Sequence, residues 1–403
     1  MAAQAALFGG LKSIPFAFYR SGTSRGLYLL ERDVPPRGPA RDALLCRLMG
    51  SGHPQQLEGF GGGCGPTSKA VIVGPHPEPE SVTYTFAQCK VEEATVDHSH
   101  GDCGNMLAAV GPFALERGLV QARPTPSGKA QVRVHSSNTG AVYVADVMLS
   151  ATEEGPAVCY KGRADVSLPG VPSAAAPVVL AALGVSGLQT GRLLPTGNAV
   201  DRFDLGAGFG EVSATVVDFA RALVMVDADE VLPRFGYHSW DDGTKERIEA
   251  DCALNGALDH VRRAASLAIG LGDCVGKDSP KVALVGPPCG QTAMLACRYF
   301  VNPERCEMHP TLAMTAAQAV AAGCLLEGSV PRRALGGEPT PDADDPTSFT
   351  VRIAHPQGVL PVTVGTTPHD PDKVLKAHFP QGVPSSGKYT STVLPLADGR
   401  AFV

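Results

Sequence analysis

The sequence contains no apolar run of the roughly 20 residues that a membrane-crossing helix needs, so no helical anchor is expected. Its first ten residues, Met1-Ala-Ala-Gln-Ala-Ala-Leu-Phe-Gly-Gly10, lack the basic start and long apolar stretch of a secretory leader and the arginines of a mitochondrial one. Basic charge is not in excess: 34 Lys and Arg against 40 Asp and Glu give a formal net charge of −6. No basic cluster stands out either, which argues against nucleic-acid binding. There is no Cys-x-x-Cys pair, and the eleven cysteines are odd in number and scattered. That usage fits free thiols in a reducing compartment, by default the cytoplasm, better than a disulfide framework. What remains is 44% hydrophobic and 18% charged over 403 residues, enough for a packed core in two domains or one large duplicated fold.

The chain repeats itself. Lys69-Ala-Val-Ile-Val-Gly-Pro75 recurs as Lys281-Val-Ala-Leu-Val-Gly-Pro287, an offset of 281 − 69 = 212 residues. At the same offset, Val82–Gln88 faces Met294–Phe300, and both segments read as strands. An alanine-rich run ending at Gly118 has a counterpart ending at Gly328, offset 328 − 118 = 210. A period this long indicates two packed halves rather than a solenoid. The halves are expected at 1–188, completed by the C-terminal strand 386–403, and at 189–385.

Further strands are expected at Ile14–Arg20, Gly26–Leu30, Gln131–Ser136, Ala141–Val147, Ala222–Val226, Phe349–His355 and Val359–Val364. Helices are expected at Arg41–Met49, Asn105–Arg117, Ala174–Leu183, Lys245–Ile269 and Thr315–Leu325. The helix Asn105–Arg117 is apolar almost all round, the mark of a buried helix, and Gly118 follows it as a stop. The expected class is therefore α+β: two pseudo-symmetric halves, each a curved, mostly antiparallel sheet around a central buried helix.

Three polar turns carry the candidate chemistry. Gly101-Asp-Cys-Gly-Asn105 opens the buried helix, where free N–H groups attract anions and favour a thiolate at Cys103; a plain buried cysteine in a Gly-Asn cap is the alternative. Gly61-Gly-Gly-Cys-Gly-Pro-Thr-Ser-Lys69 lacks the Gly-Lys-Ser/Thr order of a phosphate loop. It reads instead as a glycine-rich turn delivering Lys69 into a cleft, where desolvation favours a neutral, basic amine. Arg20-Ser-Gly-Thr-Ser-Arg-Gly26 offers two guanidinium groups and three hydroxyls between strands, suited to carboxylates; a simple polar hairpin would look alike. Ser136-Ser-Asn-Thr-Gly140 and Leu194-Pro-Thr-Gly-Asn198 are weaker candidates for the same cleft. Asp97, His98 and His100, with Cys103, match no specific zinc spacing and read as a solvated loop.

On these residues the chain resembles the PrpF family of carboxylate isomerases, which has the diaminopimelate-epimerase-like fold. The resemblance runs from about residue 14 to the end. It rests on Arg20–Gly26, Thr67-Ser-Lys69, Phe86-Ala-Gln88, Asp102-Cys-Gly-Asn-Met-Leu-Ala-Ala-Val-Gly-Pro-Phe113 and Leu193-Leu-Pro-Thr-Gly-Asn198. It implies cofactor-free allylic isomerisation of an unsaturated di- or tricarboxylate. The candidates are aconitate and 2-methylaconitate first, then 4-oxalomesaconate and methylitaconate. It also implies a small-molecule partner; a homodimer is an option the sequence leaves open, and no metal is expected from the spacing above. The family's catalytic lysine falls on Lys69 and its helix-start cysteine on Cys103. The expected substrate-binding set is Arg20, Ser21, Gly22, Thr23, Ser24, Arg25, Thr67, Ser68, Gly104, Asn105, Met106, Ser137 and Asn138 in the first half, with Asn198, Lys281, His309 and Thr315 in the second.

The chain departs from the family's usual pattern in two places. The first turn usually reads Arg-Gly-Gly-Thr-Ser-Lys-Gly, against Ser21 and Arg25 here. A segment often written Asp-Val-Ala-Asn-Pro is Asp218-Phe-Ala-Arg-Ala222. Epimerases of this fold face two cysteines across the site, but the offsets of 212 and 210 from Cys103 land on Thr315 and Ala313. A two-thiol racemase, and a non-catalytic carboxylate-binding helper, are the readings set against isomerisation.

Overall fold

The computed structural model describes residues 13–98, 101–162, 164–277, 279–288, 290, 292–367 and 378–402. Met1–Gly10 and His100 lie outside them. The chain divides into two compact units, one running up to Leu180 and resuming at Thr390, the other Ala181–Tyr389.

The strands of the first unit are β1 (Ser13–Ser21), β2 (Ser24–Leu30), β3 (Lys69–Pro75), β4 (Ser81–Cys89), β5 (Val96–Asp97), β6 (Lys129–Ser136), β7 (Val142–Thr152) and β8 (Gly155–Val158). β1 and β2 form an antiparallel hairpin, β2 and β3 run parallel, and β3–β4 is antiparallel. β4–β6 is parallel again and β6–β7 antiparallel. Each parallel step needs a crossover. The first is helix α1 (Pro39–Met49); the second contains α2 (Gly104–Leu107) and α3 (Val110–Glu116). Pro39 at the start of α1 and Gly50 at φ 70° after it are a helix start and stop of the ordinary kind.

Strand β9 (Pro177–Leu183) leads into the second unit, whose strands are β10 (Asp201–Asp204), β11 (Glu211–Phe219), β12 (Arg221–Asp227), β13 (Lys281–Gly286), β14 (Leu295–Asn302), β15 (Glu307–Met308), β16 (Ser348–His355) and β17 (Gly358–Thr367). Here β11–β12 is antiparallel, β12–β13 parallel, β13–β14 antiparallel, β14–β16 parallel and β16–β17 antiparallel. The order and direction of pairing are those of the first unit, and Lys69 and Lys281 each open the third strand of the series. The crossovers hold α4 (Ala228–Val231), α5 (Lys245–Ala250) and α6 (Cys252–Ala268), then α7 (Met314–Cys324) and α8 (Val330–Ala334). Strand β18 (Val383–Phe402) begins beside β17 and ends beside β1. The result is a mixed sheet with few helices.

The central strands β3, β11, β12 and β13 are covered on both faces and read as near-continuous apolar runs, whereas β6, β7, β16 and β17 alternate. In the first unit Phe16, Phe18, Leu27, Leu29, Ala70 and Ile72 pack with Leu45, Leu48 and Met49 of α1. Tyr19 and Tyr28 leave by the other face and meet edge to face at 5.0 Å, with Phe113 of α3 beyond. In the second unit α6 covers one face through Leu254, Leu258, Val261 and Ala265, while α7, every residue of it buried, packs on β11, β12, β16 and β17.

Three expected helices are corrected. Ala174–Leu183 is not helical: residues 177–183 form β9, in which Val178, Leu180 and Ala182 are buried and alternate with less buried neighbours. The period of two decides against the helix propensity of its alanines and leucines. Lys245–Ile269 breaks at Asp251, whose carboxylate turns back to cap α6 by accepting from the Leu254 N–H at 2.9 Å. Asn105–Arg117 breaks into α2 and α3, for a reason that belongs to the site.

Candidate active site

Strand register gathers the candidate residues of the first unit at one end of its sheet. Ser21 pairs with Ser24 and Arg20 with Arg25; Gly26 pairs with Lys69, and Lys69 with Gln88. Gly26 is obligatory there, because a Cβ would lie 2.2 Å from the Lys69 carbonyl oxygen and 2.7 Å from Met106 Cε. Its bare backbone lets α2 and the start of β3 press against the same point.

Lys69 is only 7% exposed. Its Nζ donates to Gln88 Oε1 at 2.6 Å and lies 5.0 Å from the centre of the Phe86 ring. The Gln88 amide cannot turn away, since its Nε2 donates to the Ser68 carbonyl at 2.9 Å and the Gly65 carbonyl at 3.2 Å. Tyr84, Phe86 and Gln88 alternate along one face of β4 and tie two functions to one strut. Gln88 and Phe86 hold Lys69, while the Tyr84 hydroxyl accepts from the Cys103 N–H at 3.4 Å and lies 3.5 Å from its carbonyl. Burial pushes the Tyr84 hydroxyl well above its ordinary pKa, so it stays a neutral donor and acceptor.

Cys103 is half-buried and precedes α2 in extended conformation. Beside it Asp102, 3% exposed, accepts from Ser136 Oγ at 2.5 Å, Thr139 Oγ1 at 2.5 Å and Tyr143 OH at 2.7 Å. Burial raises its pKa and the three hydroxyls oppose the rise. This cluster clamps the 136–139 turn to the cysteine loop. Asn138 adds a second clamp, its side-chain amide accepting from the Phe86 N–H at 2.8 Å and donating to the Phe86 carbonyl at 3.0 Å.

The helix break has two causes. Pro112 has no N–H to give the Ala108 carbonyl. The Ser21 hydroxyl enters the ladder three residues earlier, donating to the Asn105 carbonyl at 2.5 Å and accepting from the Ala109 N–H at 3.1 Å. A side chain inserted between a carbonyl and the N–H four residues later bends a helix. α2 is therefore a single turn, and the long helix dipole expected behind Cys103 is absent. Asn105, 4% exposed, reaches back: its Nδ2 donates to Thr23 Oγ1 at 3.0 Å and its Oδ1 accepts from the Thr23 N–H at 3.4 Å. Ser24 Oγ lies 3.5 Å from the same Nδ2. Gly22, at φ 56°, permits this approach; a Cβ there would sit 2.2 Å from Asn105 Oδ1.

Several expected ligand-binding groups are thus already engaged. The Ser21 hydroxyl is in the helix break, and the Ser68 hydroxyl sits between Gln56 Nε2 and the Cys89 carbonyl. Asn138 is bound at both ends. Met106 is fully buried and its carbonyl accepts from Tyr28 OH at 2.5 Å. Ser137 is exposed and its N–H pairs with the Tyr84 carbonyl. Thr67 Oγ1 donates to the Cys64 carbonyl at 3.1 Å. Arg25 lies over the Phe18 ring, on the α1 face of the sheet, and Arg20 shares that parity, whereas Lys69 leaves by the other face. Arg20 Nη1 donates to Thr392 O and Oγ1 and to Gly22 O, yet its Nε and Nη2, and Arg25 Nε, are buried without a partner. Burial lowers the Arg20 pKa.

In the second unit Lys281 donates to the Val301 backbone carbonyl, the position where Lys69 meets Gln88. Arg221 Nη1 donates to Tyr299 OH at 2.6 Å, and the His309 ring stands 5.9 Å from that of Tyr299. His309 Nδ1 accepts from the Thr311 N–H at 3.1 Å. Thr315 is buried in the first turn of α7. Asn198 is exposed and held to Asp201 at 2.7 Å.

Sequence reasoning missed Gln88, Tyr84 and Asp102 as site residues. The alternation Tyr84, Phe86, Gln88 opposite Lys69 was the available signal. For metals, among the described residues His76, Glu78 and His135 could converge. They stand at the far end of β3 from Lys69, and His76 Nδ1 accepts the Glu78 N–H at 3.2 Å. His98 instead pairs with Asp42 at 2.8 Å.

The model of the PrpF protein family matches residues 11–382. A 4-oxalomesaconate tautomerase of Pseudomonas putida is 38% identical over 357 residues, covering 87% of this chain and 92% of that protein. The crystal structure of a methylitaconate-delta-isomerase matches with a TM-score of 0.72 at 29% identity, over 98% of this chain and 96% of that one. A hydroxyproline epimerase from Agrobacterium vitis, 12% identical, shares the fold with a TM-score of 0.51 over 97% and 93% of the two chains. Fold and likeness together define an isomerase built on an epimerase-like mixed sheet. Within that class, the chain belongs to the PrpF family.

Proposed function

We propose that the protein shifts a proton across the allylic system of an unsaturated di- or tricarboxylate, with Lys69 as the principal base and Cys103 as a second acid/base or positioning group. The observation that carries this reading is the Lys69–Gln88 pair. A buried amine is held by a rigid amide oxygen, with no carboxylate ion-paired to it among the described residues. A base needs its lone pair, and an amide neighbour fixes the amine in place without a negative charge that would favour the ammonium form.

The amine takes a proton from the carbon next to the double bond, and the charge spreads into a carboxylate as a dienolate. Preorganised donors stabilise such charge best; Arg20 and Arg25, on the opposite face of the sheet from Lys69, are not counted among them. Return of the proton to the far carbon, or to the same carbon after rotation, gives the isomer. No cofactor is needed for that exchange. In this reading each sheet curves round its inner helix, α2–α3 in one half and α7 in the other. The halves in this reading are 1–188 with 386–403, and 189–385, and free thiols are consistent with a reducing compartment such as the cytoplasm.

The purified protein is tested by ultraviolet absorbance and NMR against aconitate, 2-methylaconitate, 4-oxalomesaconate and methylitaconate. One of them should isomerise. Lys69→Ala should lower turnover by about 10²–10⁴-fold while the protein stays folded, and Cys103→Ser should be milder if the thiol only positions substrate. Near-normal turnover in Lys69→Ala refutes the assignment; tight binding of all four acids with no isomerisation refutes the activity.

A further inference from the structure

We propose that Cys252 and Cys306 form a modification site at which a peroxide closes an intramolecular disulfide. The two sulfurs stand 3.8 Å apart as free thiols. An S–S bond is about 2.0 Å long, so side-chain rotation has a gap of about 1.8 Å to close.

Their approach is held by contacts on both sides of Cys306. Upstream, the 3-10 turn Pro303–Arg305 is fixed to α6, where Arg262 Nη2 meets Glu304 Oε1 at 2.5 Å with the Arg262 side chain 3% exposed. Downstream, the Met308 N–H donates to Glu249 Oε1 of α5 at 3.0 Å. Cys252 opens α6 directly after Asp251, which caps that helix. Backbone on both partners is therefore set before any sulfur reacts, and Cys306 itself holds a left-handed φ of 53°.

The two thiols differ in access. Cys252 is exposed, whereas Cys306 is half-buried. Cys252 accordingly meets the oxidant first: its thiolate attacks a peroxide oxygen, the O–O bond breaks, and water and a Cys252 sulfenic acid result. The Cys306 thiolate then attacks the Cys252 sulfur, the S–S bond forms, and the S–O bond breaks with loss of the hydroxyl as water. Two thiols lose two hydrogens and one peroxide becomes two waters. The bond ties the start of α6 to the turn between β14 and β15, a few residues upstream of His309.

The full chain is treated with stoichiometric hydrogen peroxide, alkylated, digested without reductant and mapped by mass. The expected product is a cross-linked peptide pair containing Cys252 and Cys306, two hydrogens lighter than the free peptides and released by dithiothreitol. In Cys306→Ser the sulfenic acid has no partner, so Cys252 should proceed to sulfinic acid; in Cys252→Ser, Cys306 should stay a thiol. Both variants should keep the untreated protein's isomerase activity, which separates this site from the Lys69 chemistry. The proposal is overturned if Cys252 and Cys306 both remain alkylatable while other cysteines oxidise, or if either pairs elsewhere.

Discussion

Removing the Ser21 hydroxyl tests the account of the helix break. In Ser21→Ala the Ala109 N–H loses its acceptor at a fully buried position. A buried donor left unpaired costs about 1–3 kcal/mol, and the lost bond to the Asn105 carbonyl adds about 0.5–1.5 kcal/mol. The two together come to about 3 kcal/mol. The helix cannot simply close up: a direct bond from Ala109 to Asn105 requires one continuous rod, and Pro112 opposes it by lacking an N–H and crowding the Ala108 carbonyl. Equilibrium urea unfolding followed by circular dichroism reads the loss directly. Because Cys103 and Asn105 sit at the start of α2, turnover should fall as well, by up to about 100-fold if the reacting groups move by an ångström. A Ser21→Ala protein within about 0.5 kcal/mol of the wild type would refute the inserted-hydroxyl explanation and leave Pro112 as the sole cause.

Other perturbations probe the surroundings. Gln88→Leu should lower kcat about tenfold with little change in KM, as expected for loss of general-base positioning. Gln88→Glu should restore a partner but favour the ammonium form, so the acid limb of the rate profile should move to higher pH; an unmoved profile would count against Lys69 as base. Asp102→Ala should cost about 3 kcal/mol, because three hydroxyls lose their acceptor in a buried setting, whereas Asp102→Asn should recover part of this in the same unfolding assay. Burial, assisted by Arg298, lowers the His355 pKa to about 4, from an ordinary value of 6.5. The folded state therefore keeps this ring neutral; the stability is present above pH 6.5 and drains away as pH falls toward 4. At about 1.4 kcal/mol per pH unit, wild type should lose about 3 kcal/mol more than His355→Asn between pH 7 and pH 4, and equal losses would contradict the burial argument.

Much of the fold could be read locally. The repeat placed Lys69 and Lys281 at equivalent strand starts, and β6, β7, β16 and β17 announced themselves by apolar alternation. Residues 177–183 were harder, because alanine and leucine favour a helix in isolation and only the neighbouring strands make the period of two decisive. The split of Asn105–Arg117 was half visible in Pro112. Its other cause, Ser21, is distant in sequence, and no local pattern links the two. Site residues followed the same division. The cysteine turn and Lys69 were marked by composition, whereas Gln88 and Asp102 gain their meaning from which hydroxyl or amine the sheet brings opposite them. The arginine pair shows the converse error: hairpin composition suggested one cleft, but strand parity sends Arg25 to the opposite face from Lys69.

The pairing of β1 with β18 matters during synthesis. Ser21 is registered against Val393, 393 − 21 = 372 positions downstream. At roughly 5–20 residues per second, the nascent β1 waits about 20–75 s for the partner on that edge. Through that interval a strand carrying Ile14, Phe16 and Phe18 presents open hydrogen-bonding groups to the cell, a template for pairing with other chains. A chain halted before Val393 would leave this edge open permanently. Premature termination just before Val393 should therefore show itself as aggregation and chaperone retention before any loss of catalysis can be measured.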